Sequence, residues 1–68
     1  MNEAKIRVNG QFEALVTTVS ALLAAKNLEG ARGVAVAVNN SVVPRSAWPT
    51  TLLSDGDVVE IVRAVGGG

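Results

Sequence analysis

Residues 17–30 read TTVSALLAAKNLEG, and within them the period of the chain changes. Val19, Leu22 and Leu23 fall at i, i+3 and i+4, the spacing that lines one face of a helix. Ala21, Ala24 and Ala25 are strong helix formers. Thr18 is a suitable N-cap, although no glutamate follows to complete a capping box. Asn27 or Gly30 can end the helix. A helix of about ten residues is marginal alone and has to be held by packing. What it packs against decides the fold.

Working outward, both flanks read as strands. Residues 4–15, AKIRVNGQFEAL, form two strands around a turn. A two-residue turn at Asn9-Gly10 would pair Ile6 with Glu13 and Arg7 with Phe12, setting apolar side chains opposite charged ones on both faces. A three-residue loop of Val8, Asn9 and Gly10, with Gly10 as a left-handed bulge residue, pairs Ile6 with Phe12 instead. The second register gives one buried face and is the one expected. Residues 33–48, GVAVAVNNSVVPRSAW, alternate with period two: Val34, Val36 and Val38 share a face, with small alanines on the other. Asn39-Asn40 tolerates positive φ and marks a turn. Val42 and Val43 make a brief return strand, which Pro44 ends because it has no N–H for a ladder. SDGD, residues 54–57, is another turn, and VVEIVRAV, residues 58–65, is the last strand, of about seven residues.

The order is strand, strand, helix, strand, short strand, strand. Helix and sheet each have one apolar face, and each buries it on the other. One helix laid across a mixed four- or five-stranded sheet is the smallest solution, an α+β fold of the ubiquitin-like β-grasp type. Residues 1–65 are expected to form this domain and residues 66–68 a flexible tail, since glycine is the residue that loses most freedom when ordered.

Composition narrows the function. Half of the 68 residues are apolar (49%), enough for one small core and too many for a disordered chain. Six basic and six acidic residues cancel, no basic block exists, and the aromatics are Phe12 and Trp48 alone. Nucleic-acid binding wants a positive footprint and stacking platforms, so it is not expected. Cysteine and histidine are absent, which removes thiol nucleophiles, disulfides and the commonest general base and metal ligand. The longest apolar run, GVAVAV, falls far short of the ~20 residues that cross a bilayer. The opening residues, MNEAKIRVNG, have no apolar stretch of the signal-peptide kind. A cytoplasmic protein, monomeric when free, that is not itself an enzyme is the expectation.

The last residues are VRAVGGG. A β-grasp pattern running into glycines resembles the ubiquitin-like sulfur carriers and modifiers. More narrowly, VAVNNSVVPRSAW followed by LLSDGDVVEIVRAVGGG resembles the sulfur carriers of thiamine (thiazole) biosynthesis. The Val-Asn turn, Val43-Pro44-Arg45, Trp48 and the Asp-Gly-Asp loop carry the likeness, which covers the whole length. A third terminal glycine and Pro49 depart from it. The resemblance implies that the carboxylate of Gly68 attacks the α-phosphate of ATP within an adenylyltransferase of the ubiquitin-activating type. Sulfur from a partner persulfide, supplied by a cysteine desulfurase or its equivalent, then displaces AMP and leaves a C-terminal thiocarboxylate for thiazole synthase. No cofactor is held stably by the carrier; ATP is consumed by its partner. Gly66, Gly67 and Gly68 have no side chains to obstruct a narrow tunnel into a water-excluding site.

Alternation in the last strand assigns Val59 and Ile61 to the core, so Val62 and Val65 can lie on an exposed apolar strip beside the tail. Arg63 and Arg45 can supply charge at the rim of a partner surface. Trp48 reads as a cap on the edge of the core, and Pro44 and Asp55-Gly56-Asp57 as turn chemistry. Three alternatives stay open: a sulfur carrier for molybdopterin or another sulfur-containing metabolite, a protein modifier joined through Gly68 to lysines, and a non-covalent interaction module.

Overall fold

The structure is a computed structural model and describes residues 3–64. Five strands form one mixed sheet: β1 (Lys5–Val8), β2 (Gln11–Ala14), β3 (Val34–Val38), β4 (Ser41–Val43) and β5 (Val58–Arg63), in the order β2-β1-β5-β3-β4. Only β1 and β5 run parallel; the other neighbours are antiparallel. A single α-helix, α1 (Val19–Ala25), and a 3-10 helix (Arg45–Thr50) complete the fold. This is the α+β, ubiquitin-like β-grasp arrangement that the order of periods predicts.

The helix starts where expected and stops sooner. Thr18 has extended backbone, and its hydroxyl accepts from the Ala21 N–H at 3.0 Å. At the other end Asn27, rather than Gly30, takes the left-handed conformation (φ 60°). Leu28 N–H then reaches back to the Leu23 carbonyl at 2.8 Å and Asn27 N–H to that of Ala24 at 3.1 Å, the paired closure that satisfies the last carbonyls. Val19, Leu22 and Leu23 are buried and meet Ile6, Val8, Val36, Val59, Leu53 and Trp48 in one core.

The first hairpin adopts the other register. Ile6 pairs with Glu13 and Arg7 with Phe12 across a two-residue turn in which Asn9 (φ 49°) and Gly10 (φ 85°) both have positive φ. Such a turn matches the right-handed twist of its strands. The pairing of apolar with charged residues is tolerated because β2 is an edge strand. Its Glu13 leans off the core to meet Lys26 at the helix end (2.7 Å). Phe12 stays 72% exposed on the outer face, where the Arg7 guanidinium lies 5.4 Å from its ring centre. The expected pairing of Ile6 with Phe12 is thus corrected.

Trp48 is a core residue, 3% exposed, not an edge cap. The 3-10 helix that carries it, Arg45–Thr50, follows directly on Pro44 and has no counterpart in the expected order of elements. Its indole N–H donates to the Val43 carbonyl at 2.9 Å, so the one polar atom of the ring is satisfied in the interior. The Asn39-Asn40 turn has the two positive φ values expected of it (51° and 70°). β5 ends at Arg63, so the proposed division between domain and tail falls outside the described residues.

Candidate functional site

β5 is the centre of the sheet and the last element before the glycines. Its β-branched sequence suits a strand with neighbours on both sides. Three consecutive rungs hold its β1 side. Arg7 N–H donates to the Asp57 carbonyl (2.9 Å) and Asn9 N–H to that of Val59 (3.0 Å). The chain then turns away at Asn9-Gly10, and the Asn9 side chain supplies the third rung. Its Oδ1 accepts from Ile61 N–H at 2.8 Å and its Nδ2 donates to the Ile61 carbonyl at 3.1 Å. An asparagine amide thus stands in for a peptide group and extends a parallel ladder past the end of its strand.

On the other side β3 pairs with β5 along its whole length, from Val38 opposite Val59 to Val34 opposite Arg63. One further bond, from Ala64 N–H to the Gly33 carbonyl (2.9 Å), is the last between these two segments among the described residues. Gly33 has φ +72°, and a Cβ there would lie 3.2 Å from the Ala64 Cβ. Both the backbone and the space therefore ask for glycine at this position. Sequence reasoning passed over Gly33; the signal was a glycine immediately before an alternating strand, where close approach of another backbone is one of the reasons for having it.

The candidate partner residues do not share one surface. Val62 is 63% exposed on the face of the sheet away from the helix, in a shallow apolar trough with Ala35, Ala37, Val42 and Glu60. Val42, 78% exposed, was not among the candidates; its register opposite Ala37, next to the Ala35–Val62 pair, puts it there. Arg63 lies one residue on and so points to the opposite face, where it lines a groove with Asn9, Glu13, Lys26, Leu28 and Ile61. Arg45 is held in place: its Nη2 donates to the Ala31 carbonyl at 2.6 Å, and its guanidinium stacks 5.0 Å from the Trp48 ring centre. Val65, Gly66, Gly67 and Gly68 lie outside the described residues.

Among the described residues no group of His, Cys, Asp or Glu is placed to hold a metal ion. None of their helices is long and apolar enough to cross a membrane. What the described part offers is a central strand paired on both sides, with an apolar trough on one face of the sheet and a charged groove on the other.

Comparison with known proteins agrees with this fold. A model of the ThiS family matches residues 5–68. The crystal structure of a thiamine biosynthesis protein (ThiS) from Geobacter metallireducens superposes with a TM-score of 0.77 at 34% identity, covering 94% of this chain and 99% of that one. A solution structure of a thiamine biosynthesis protein from the same organism gives a TM-score of 0.75 at 34% identity, covering 94% and 87%. A thiazole synthase of Paramagnetospirillum magneticum is 40% identical over 67 residues, which cover 94% of this chain. The chain spans only 20% of that relative's length.

Proposed function

The chain belongs to the ThiS family of ubiquitin-like sulfur carriers, and on that premise we propose that it carries sulfur for the thiazole ring of thiamine as a thiocarboxylate on Gly68. The family match along residues 5–68, glycines included, is the observation that carries this reading.

The chemistry follows from what a carboxylate lacks. It is a poor electrophile until it has a good leaving group, so activation precedes sulfur delivery. A Gly68 carboxylate oxygen attacks the α-phosphorus of ATP, the bond to pyrophosphate breaks, and an acyl-adenylate forms. The terminal sulfur of a partner persulfide attacks the acyl carbon and expels AMP. A second thiol then cleaves the resulting sulfur–sulfur bond, leaving the thiocarboxylate and a disulfide on the partner. Because the chain has no cysteine, both thiols belong to partners. Water would hydrolyse the adenylate, so the adenylating partner has to enclose it. Gly66 and Gly67 offer backbone without side chains for passage into such an enclosure.

We further propose that Val62, Val65, Arg63 and Arg45 contribute to the surface that partners grip, since whatever draws in the tail has to hold the surface around its exit. The adenylating partner is of the ubiquitin-activating type, and thiazole synthase is the acceptor. A relative bearing the latter name includes a stretch like this chain, which favours a physical association of the two.

The test is intact mass. With ATP and its adenylating enzyme the protein is expected to gain AMP, and with a sulfur source to exchange one oxygen for one sulfur, mapped by fragmentation to Gly68. Sulfur found on an internal residue overturns the proposal. Conjugates of higher mass in cell extracts, joined to lysines through Gly68, would point instead to a protein modifier.

A further inference from the structure

Among the described residues the β1-facing edge of β5 is open beyond Ile61. Along β5 the peptide groups alternate sides. Asn39 N–H donates to the Val58 carbonyl and Ala64 N–H to that of Gly33, so the even-numbered residues face β3. Residues 57, 59 and 61 bond toward β1 and Asn9. Arg63 is next in the odd series. Its N–H and carbonyl point to the same side as those of Ile61, yet β1 pairs with β5 only at Val58 and Val59 and the Asn9 side chain reaches no further than Ile61. Among the described residues nothing supplies this fourth rung.

Beside the unfilled rung lies a groove of about 410 Å³, which Ile61 and Arg63 line together with Asn9, Glu13, Lys26 and Leu28. Lys26 is already paired with Glu13, whereas the Arg63 guanidinium makes no ion pair among the described residues. The groove therefore has one positive charge in excess.

We infer that this edge takes an extended main-chain segment of the adenylating partner as an added strand, with an acidic side chain of that segment set against Arg63. The inference rests on the carrier reading above and adds to it the manner of capture. Strand addition uses main-chain bonds for affinity and neighbouring side-chain contacts for specificity. Here it has a particular use: a strand bonded at Arg63 is aligned with the residues that immediately precede Gly66, so capture and aiming of the tail are one event.

The test is amide hydrogen exchange of the full chain, free and in complex with its adenylating enzyme. The Arg63 N–H should exchange freely in the isolated protein and slow by more than about tenfold in the complex. Two variants divide the main-chain from the side-chain contribution. Arg63→Ala removes the charge, and should weaken binding and flatten its dependence on salt. Arg63→Pro also removes the N–H, which donates to nothing in β3, and should weaken binding about tenfold more than Arg63→Ala. If the proline variant does not fold, exchange in the wild-type complex decides alone. A complex that forms while Arg63 exchanges as before overturns the added strand and leaves the carrier reading standing. If neither complex nor adenylate on Gly68 forms, the carrier reading falls and this inference with it.

Discussion

Asn9 combines a left-handed backbone with two side-chain bonds to a residue 52 positions away in sequence. Replacing it with alanine removes both bonds and puts an ordinary side chain at positive φ. The loss should be about 1–3 kcal/mol by urea denaturation, because the Ile61 peptide is left without partners and the turn is strained. Asn9→Gly keeps the backbone freedom and loses only the bonds, so it should fall between wild type and Asn9→Ala. An alanine variant within about 0.5 kcal/mol of wild type would show that the amide rung is not needed to hold β5. Arg63 makes a second point at this scale. Composition presents it as one more solvated cation; only its parity in β5 separates it from Val62 and assigns the two to opposite faces.

Among elements, α1 was the most legible, and the first hairpin the least. The spacing of Val19, Leu22 and Leu23 and the Thr18 cap are local features, and all four appear as expected. Thr18→Ala should cost about 0.5–2 kcal/mol in thermal or chemical unfolding, since one N–H of the first turn loses its acceptor. Leu22→Ala should cost roughly 2–5 kcal/mol through the cavity it leaves in a small core. The hairpin offers a sharper test of register. With Phe12 exposed against Arg7, Phe12→Ala should cost at most about 1 kcal/mol, the scale of an exposed cation–π contact. A loss of several kcal/mol would mean that Phe12 is buried after all and that the three-residue loop was right. The local residues could not settle this choice. Both turns are compatible with Asn9-Gly10, and what favours the observed one lies in β5 and at Lys26, far along the chain.

For the whole molecule, folding and function are expected to separate. Removing Gly67 and Gly68 should abolish sulfur loading yet leave the melting temperature nearly unchanged. A truncated protein that melts many degrees lower would make the tail structural. Val62→Asp should weaken complex formation with the adenylating enzyme by more than about tenfold, or ~1.4 kcal/mol, with the fold intact because that side chain is exposed. Ala24→Asp, on the exposed face of α1, serves as the control and should bind like wild type. Titration calorimetry showing the reverse pattern would move the docking surface from the Val62 trough to the outer face of α1.

By itself the sequence determined the order of elements, the faces of α1 and β3, the turns at Asn39-Asn40 and at Asp55-Gly56-Asp57, and the strand that leads into the glycines. These depend on periods of two or 3.6 residues and on which residues accept positive φ, and both are properties of a few neighbours. The tertiary structure decided the hairpin register, the burial of Trp48, the need for glycine at position 33 and the place of Val42 beside Val62. Each of these depends on what lies across the sheet or under the 3-10 helix. A one-residue change of register or parity moves a side chain to the other face at little local cost, so only the packing of distant segments can choose between the two.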